Sequence, residues 1–252
     1  MLLRFFNLKS LIPMKTRIKF VITLFSVFIS FLLLAVSCKK DEVPGTVTDI
    51  DGNVYKTVTI GGDVWMAENL KTTKFRDGSA IALVSDNNQW AGLTSAAYCW
   101  YDNSNTNKTT FGGLYNGYAV KDSRGLCPVG WHVATDDEWV DMELGQGLVQ
   151  GQAYSDGDRG VTENVGGHLK STLHWDSPNS GADNKSGFSA VGSGYRRQTG
   201  DFEWIGQWAG FYTSTGPDAD HLYRRYLGYD FKGISRSSYI LNYGYSIRCV
   251  KD

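Results

Sequence analysis

The sequence predicts a mixed α+β fold with small twisted antiparallel sheets, one or two helices and long irregular loops. Three observations lead to this prediction. Short runs of alternating Val, Thr and Ile lie between glycine turns, which is typical of short strands. The 252 residues include 29 Gly, 14 Tyr and 8 Trp but only 5 Pro, a composition that favours a loop-rich, aromatic core over a helical bundle. Residues 131–145 combine a short strand with a strongly capped helix.

The first 37 residues have the pattern of a bacterial export signal. They contain five basic side chains and no acidic one, and an apolar run extends through residues 20–36. Met14 begins a more compact signal than Met1 and is an alternative start. Cys38 follows Ala35-Val36-Ser37, which resembles the lipobox at which bacterial lipoproteins are cleaved and acylated. We therefore expect lipidation at Cys38; the alternative is a single-pass anchor, for which the run is at the short limit.

The charged tether of residues 38–45 indicates where the protein is sent. Lys39-Lys40-Asp41-Glu42 resembles the signal that directs lipoproteins of Bacteroidetes-type bacteria to the outer face of the outer membrane, although an ordinary solvated linker is the simpler alternative. The expected location is the outer membrane, lipid-anchored, at the cell surface or on the periplasmic face. Residues 46–252 are expected to form a single domain with an N-terminal β extension.

The charge of the mature chain argues against nucleic acid as a partner. Removing the five basic residues of the signal leaves 20 Lys and Arg against 26 Asp and Glu, a formal net charge of −6. An acidic chain with scattered Arg is poorly suited to phosphate backbones. The expected partners are the membrane, through the lipid anchor, and a glycan or an envelope protein.

The N-terminal part of the domain predicts a β-meander. Residues 54–60 alternate between apolar and polar side chains, glycine turns flank them, and residues 64–70 form the returning strand. Residues 97–101 are an apolar island within a polar region. Periodicity does not decide between a strand and a short helix for residues 111–120.

The clearest local signals lie between residues 126 and 145. Trp131, His132 and Val133 form a short extended run, Thr135 is a candidate helix N-cap, and Glu138 three residues later completes a capping box. A helix is therefore expected from residue 136 to about residue 145. Farther on, the sequence predicts a short helix over 165–173 and strands over 188–191, 194–197, 208–215, 223–228 and 243–250.

Three cysteines remain after the signal, and an exported domain can form disulfides. A bond between Cys127 and Cys249 would close a loop of about 120 residues, worth about 4 kcal/mol in the chain-entropy model. A bond from Cys99 to either of them is equally consistent with the sequence. The chain has no Cys-x-x-Cys pair, so a zinc site built from thiolates is not expected.

Several sequence runs together resemble the Fibrobacter succinogenes major paralogous domain, a family of bacterial exported proteins. The resemblance covers about residues 46–252. The matching runs are Val58-Thr59-Ile60-Gly61, Trp65-Met66-Ala67-Glu68-Asn69-Leu70, Gly113-Leu114-Tyr115-Asn116, Leu126-Cys127-Pro128-Val129-Gly130-Trp131-His132-Val133, Gly187-Phe188-Ser189-Ala190 and Ser246-Ile247-Arg248-Cys249-Val250-Lys251-Asp252. The resemblance implies a variant of the C-type lectin-like fold, akin to the formylglycine-generating enzyme domain, whose terminal strand returns beside the first strand of the core.

The resemblance supplies neither a metal nor a reaction. C-type lectins bind sugar and calcium through Glu-Pro-Asn or Gln-Pro-Asp and Trp-Asn-Asp runs, which are absent from this sequence. The carboxylates that could most readily hold Ca²⁺ in their place are those of Asp156, Asp158 and Asp183. We expect no cofactor, and Ca²⁺ at these carboxylates is the alternative. The formylglycine-generating reaction relies on cysteines near the C-terminal part, where Cys249 stands without a partner nearby in sequence. No catalytic residue is assigned.

Aromatic and Arg side chains between residues 195 and 226 are the best indication of function. Exposed Trp and Tyr rings stack on sugars or anchor protein interfaces, and Arg supplies forked donors. The candidate ligand-binding residues are Trp204, Trp208, Tyr195, Arg197 and Tyr212. Packing in the core and at its rim is the simpler explanation for most of the cluster.

We therefore expect a surface lipoprotein that binds a glycan or a protein through the loops of a C-type lectin-like domain. Two alternatives stay open: an enzyme related to formylglycine-generating oxidases, and a structural envelope component.

Overall fold

Strands dominate residues 45–252, which are the residues that this computed structural model describes. They belong to one compact unit and contain fifteen strands and five short helices, which confirms a mixed α+β fold. The strands are β1 (Thr46–Thr48), β2 (Val54–Ile60), β3 (Asp63–Met66), β4 (Ala82–Leu83), β5 (Ala97–Trp100), β6 (Gly113–Asn116), β7 (Trp131–Val133), β8 (Gly157–Arg159), β9 (Ser193–Arg196), β10 (Phe202–Ile205), β11 (Trp208–Tyr212), β12 (His221–Gly228), β13 (Ile234–Ile240), β14 (Gly244–Tyr245) and β15 (Cys249–Lys251). The helices are α1 (Asn87–Ala91), α2 (Asn107–Phe111), α3 (Gly117–Lys121), α4 (Asp136–Gly145) and α5 (Val165–Leu169), with 3-10 turns at Tyr101–Asn103 and Gln150–Gln152.

A five-stranded antiparallel sheet contains both the first and the last of these strands, in the order β1-β2-β3-β15-β7. Strands β1 to β3 form the predicted meander. Val250 of β15 pairs with Trp65 of β3 on one side and with His132 of β7 on the other. The terminal strand therefore returns into the domain, as expected, but it lies between β3 and β7 and not beside the first described strand, β1. It joins the N-terminal part to the central β7–α4 segment.

A ten-stranded sheet forms the rest of the domain, in the order β4-β5-β6-β14-β9-β11-β12-β13-β8, with β10 paired to β9. Its β4–β5 and β9–β11 pairings are parallel and the others are antiparallel. The expectation of small antiparallel sheets is therefore wrong for this part, which is one large sheet with two parallel pairings. Long-range pairing between strands that are far apart in sequence produces this sheet, and local patterns do not reveal it.

The disulfide joins Cys127 to Cys249, with 5.9 Å between their Cα atoms, and confirms the pairing proposed first. It fastens β15 to the turn that leads into β7. The alternatives with Cys99 are wrong, because Cys99 is a buried free thiol. No helix within residues 45–252 combines the length and apolarity needed to cross a membrane. The signal and the lipidation candidate Cys38 lie outside the described residues.

Several element boundaries differ from the sequence-based expectations. Residues 111–120 contain both of the weighed alternatives, strand β6 followed directly by helix α3. The expected strand at 188–191 is reduced to one bridge, Lys170 to Ala190. The expected strand at 243–250 divides into β14 and β15, because the buried Arg248 between them donates to the backbone oxygens of Met66 and Phe188.

Helix α4 packs between the two sheets and fixes the orientation of β12. The Trp139 ring lies 5.4 Å from the ring centroids of both Trp65 in β3 and Phe211 in β11. Arg225 of β12 donates from Nη1 to Asp136 (2.6 Å) and from Nε to Glu143 (2.5 Å), both in α4. Because side chains alternate along a strand, the neighbours of Arg225 in β12 point to the opposite face of the sheet.

Candidate functional site

A groove of about 350 Å³ lies on the ten-stranded sheet. It is on the face opposite to the one from which Arg225 of β12 contacts α4. We call it the tyrosine groove, because five of its eight lining residues are tyrosines. The lining residues are Tyr195, Arg197, Glu203, Arg224, Tyr226, Tyr239, Tyr243 and Tyr245. Strands β9, β10, β12, β13 and β14 contribute to it, so segments distant in sequence converge at one place.

Strand alternation and one glycine explain this convergence. Arg224 and Tyr226 are two residues apart in β12 and therefore share a face. Gly210 of β11 pairs with Tyr226, and a Cβ atom at Gly210 would lie 2.3 Å from the ring of Tyr245. The missing side chain at Gly210 thus makes room for Tyr245 to lie flat against the sheet.

The floor of the groove is made of stacked aromatic rings. Tyr245 is fully buried, and Tyr243 stacks on it in parallel with the ring centroids 5.7 Å apart. Tyr212 meets Tyr245 edge-on at 4.8 Å and donates its hydroxyl hydrogen to the backbone oxygen of Ile240. Tyr212 is fully buried, does not line the groove and has its hydroxyl already bonded to Ile240, so its assignment as a ligand-contacting residue is wrong. It supports the floor from below because it occupies a core position of β11.

Glu203 draws three of the candidate residues together. Its Oε2 accepts hydrogen bonds from the Tyr195 hydroxyl (2.7 Å) and the Trp204 Nε1 (3.0 Å), and its Oε1 accepts one from Arg197 Nη1 (3.0 Å). The hydrogen bond from Tyr195, together with those from Arg197 and Trp204, lowers the pKa of Glu203. Glu203 is therefore ionised at neutral pH and is neutralised by Arg197.

Arg224 is the other cation of the groove, and its neighbours are aromatic rings. The centre of its guanidinium lies 3.9 Å from the Tyr239 ring centroid and 4.3 Å from that of Tyr226. Its Nε donates to Ser237 Oγ at 3.2 Å. Among the residues that the structure describes, no carboxylate lies within salt-bridge distance of Arg224. With two cations and one carboxylate, the groove has a net positive charge.

The hydroxyl of Tyr245 is buried and has no hydrogen-bond partner within residues 45–252. Burial raises the pKa of Tyr245 well above its usual value, and burial with a hydrogen bond to Glu203 raises that of Tyr195 to about 12. Both tyrosines therefore keep their protons at physiological pH. The proton of Tyr195 is donated to Glu203, whereas the Tyr245 hydroxyl is a hydrogen-bond donor that the described part of the protein does not use.

Two tryptophans flank the groove. Trp204, in β10, has 48% of its surface exposed and a left-handed backbone with φ 68°. Trp208 is half-buried and stacks on Tyr226 with the ring centroids 4.6 Å apart. The structure therefore brings together four of the five candidate residues, Tyr195, Arg197, Trp204 and Trp208, and places Tyr212 beneath them.

Arg224 and Tyr226 belong to the aromatic and Arg cluster that the sequence indicates, whereas the other lining residues lie outside the sequence-based candidates: Glu203, Tyr239, Tyr243 and Tyr245. Tyr239, Tyr243 and Tyr245 enter only through the pairing of β13 and β14 with distant strands. The spacing of two between Tyr243 and Tyr245 was a usable signal, because alternate residues share a face. The sequence does not indicate a role for Glu203, because a single acidic residue among aromatic ones is common at a protein surface.

The weak metal candidates have protein partners instead. Asp156 accepts from Arg236 (2.6 Å), Asp158 contacts Ser235, and Asp183 pairs with His168 (2.9 Å). In residues 45–252 no group of three or more His, Cys, Asp or Glu side chains is arranged to hold a metal ion. The calcium alternative therefore gains no support from these carboxylates.

The fold and site define a disulfide-bonded α+β domain that carries a polar, aromatic groove. The chain belongs to the family described as the Fibrobacter succinogenes major domain, whose model matches residues 58–251. Comparisons with curated proteins and with solved structures find no match.

Proposed function

We propose that this protein is an exported lipoprotein, acylated at Cys38 and displayed at the cell surface, which binds an extracellular glycan in the tyrosine groove. The observation that carries the proposal is the groove itself, where aromatic rings surround unsatisfied polar groups. We further infer that the domain is a variant of the C-type lectin-like fold; its mixed sheets, capped helix and returning terminal strand support this classification.

Export and anchoring draw support from the disulfide and from the N-terminal signal. Disulfides persist in oxidising compartments outside the cytoplasm, and Cys127–Cys249 is such a bond. Cys38 follows a basic segment and an apolar run, the order found in lipoprotein signals. Several acyl chains on one cysteine would anchor the protein firmly, since a single chain binds membranes only marginally.

A glycan suits the groove better than a folded protein does. A pyranose ring has an apolar C–H face that packs on Trp and Tyr rings, and hydroxyls that bond to Arg, Tyr and Glu. A volume of about 350 Å³ is at the low end for small-molecule sites. A stable protein interface needs about 800 Å² on each partner, which is a much larger and flatter surface.

The enzyme alternative draws no support from the described cysteines. Cys127 and Cys249 form the disulfide, and Cys99 is fully buried. Burial raises the pKa of the Cys99 thiol to about 12, so it is protonated at neutral pH.

A glycan array tests the proposal. The full chain, purified in a neutral detergent, is expected to bind a subset of the array, and Trp204→Ala is expected to lose that binding. Tyr154→Ala is the matched control, because Tyr154 is an exposed aromatic residue that bonds to Asp137 of α4, on the other side of β12. An array on which no glycan binds, or binding that survives Trp204→Ala, would contradict the proposed site.

Lipid anchoring is tested separately. Cells fed radiolabelled palmitate are expected to label the wild-type protein and not Cys38→Ser. Label on both proteins would place the acyl chains elsewhere, and label on neither would refute the lipoprotein assignment.

A further inference from the structure

We propose that the ligand of the tyrosine groove is an acidic carbohydrate, whose carboxylate is bound by the guanidinium of Arg224 and the hydroxyl of Tyr245. The inference rests on the proposed function and adds the chemical class of the ligand. It comes from two polar groups at one site that lack the partners such groups normally have.

The first group is Arg224, which differs from the other arginines of this region. Arg197, Arg225 and Arg236 each pair with at least one carboxylate. Arg196 has no carboxylate, but its guanidinium makes four hydrogen bonds to oxygens of Gly200, Val84, Ser85 and Asn87.

Arg224 makes only the Nε bond to Ser237, so neither of its terminal amino groups has an acceptor within residues 45–252. These amino groups are the fork that binds a carboxylate in two parallel hydrogen bonds. Arg224 lines the groove, and the aromatic rings around it reduce its hydration without neutralising its charge.

The second group is the hydroxyl of Tyr245, which is buried and unpaired although Tyr245 lines the same groove. A buried hydroxyl without a partner destabilises the folded protein, so such groups are uncommon and call for an explanation. The Arg224 guanidinium lies 5.4 Å from the centroid of the Tyr245 ring, and both residues line the tyrosine groove.

Two unpaired hydrogen-bond donors in one groove determine the kind of ligand group that the groove can bind. Arg has no acceptor atom, and the Tyr hydroxyl keeps its proton, so both require an acceptor from the ligand. A carboxylate supplies two acceptor oxygens and a negative charge, which strengthens each hydrogen bond. It would also compensate the net positive charge of the groove.

The other groove residues favour a sugar ring as the carrier of that carboxylate. Trp208 and Tyr226 form a stacked pair beside Arg224, and Trp204 presents an exposed ring at the rim, so flat apolar faces adjoin the cationic centre. Glu203 stays ionised and can accept hydrogen bonds from sugar hydroxyls. An acidic peptide would pair with Arg224, but it would have no sugar ring to pack against the Trp and Tyr rings.

Calorimetric titration of the full chain in neutral detergent tests the inference. The probes are oligosaccharides of galacturonate, glucuronate and mannuronate, each paired with its methyl ester, which keeps the ring and removes the charge. At least one acid is expected to bind about tenfold or more tightly than its ester, the difference expected for hydrogen bonds to a charged group. Added salt is expected to weaken binding of the acid more than that of the ester.

Two variants locate the carboxylate. Arg224→Met and Tyr245→Phe are each expected to weaken binding of the acid about tenfold and to reduce its advantage over the ester. Arg124→Met is the control, because it removes the same charge from an exposed arginine that pairs with Asp122 outside the groove. Tyr245→Phe removes a hydroxyl without a partner, so its thermal midpoint should equal or exceed that of the wild type, and weaker binding then cannot be ascribed to unfolding.

The remaining outcomes separate the inference from the proposed function. Equal affinity for acids and esters, or binding of neutral glycans alone, would overturn the acidic-ligand inference and leave glycan binding standing. Tighter binding of a tetraglutamate peptide than of any uronate would overturn the carbohydrate assignment. An absence of binding to every carbohydrate, charged or neutral, would overturn both.

Discussion

Trp204 has a backbone conformation that L-residues avoid. A left-handed φ costs a residue with a Cβ atom about 1–2 kcal/mol, and Gly adopts it freely. Such strain at an exposed aromatic residue beside a groove is typical of functional positions, where the ring is retained at the expense of stability. Nothing in the apolar periodicity of the sequence indicates this conformation, because φ at this position depends on the pairing of β10 with β9.

Two replacements of Trp204 test whether its backbone strain affects stability independently of glycan binding. Trp204→Gly is expected to have a free energy of unfolding about 1 kcal/mol higher than Trp204→Ala, because only Gly adopts φ 68° without strain. Both variants are expected to lose glycan binding equally. Urea unfolding followed by far-UV circular dichroism measures the difference; equal stability of the two variants would show that the backbone of Trp204 is unstrained.

His132 makes stability depend on pH in a predictable direction. Its ring nitrogens bond to Asp252 and Glu138, at 2.7 Å each. Burial opposes protonation, but the two carboxylates outweigh burial and raise the pKa of His132. The stabilisation is therefore complete below the unfolded pKa of about 6.5 and is lost as pH rises through the raised folded value.

The corresponding experiment compares the wild type with His132→Gln. Because His132 and Asp252 are both partly exposed, the wild type is expected to be more stable by less than about 1 kcal/mol near pH 6. The advantage should shrink toward pH 9. An advantage that grows with rising pH would have the wrong sign and would refute the charged pair.

At the level of elements, helix α4 begins with the capping box that its sequence predicts. Glu138 N donates to Thr135 Oγ1 at 3.2 Å, and Thr135 N donates to Glu138 Oε2 at 2.7 Å. Thr135→Ala is expected to lower the free energy of unfolding by about 1 kcal/mol. Thr106→Ala is a matched control, because Thr106 occupies the N-cap of α2 without making a capping hydrogen bond. Equal losses from the two substitutions would show that the capping bonds of Thr135 contribute nothing.

Elements with local signals were predictable, and elements defined by their partners were not. The meander, β7 and α4 follow from turns, alternation and a capping box that lie within about 20 residues of one another. Strand β13 reads as polar and irregular, with Ser235, Arg236 and Ser237 in sequence. It becomes a strand because it pairs with β12 and β8, and because its arginine is neutralised by Asp136.

The same distinction applies to the tyrosine groove. Its aromatic and cationic composition was visible in residues 195–226, and four of the five candidates lie at it. Which ring is buried and which is exposed depends on sheet pairing. Tyr212 and Trp204 could not be told apart from the sequence, although the first is fully buried and the second is nearly half exposed.

At the level of the whole molecule, the disulfide connects residues 122 positions apart. Replacing both Cys127 and Cys249 by Ser is expected to lower the free energy of unfolding by about 4 kcal/mol, because the unfolded chain is no longer restricted. Cys99→Ala keeps the bond and serves as the control for loss of a thiol. Denaturant unfolding of the three proteins, without reductant, measures the effect, and a loss in the double variant no larger than that in Cys99→Ala would contradict this role of the bond.

The position of β15 between β3 and β7 has a consequence for the order of events during biogenesis. Strands β3 and β7 do not pair with each other, and β15 lies between them. Residues 249–251 are synthesised after the other described strands, so the five-stranded sheet cannot be completed before they leave the ribosome. The N-terminal meander and the β7–α4 segment therefore wait for one late strand to join them.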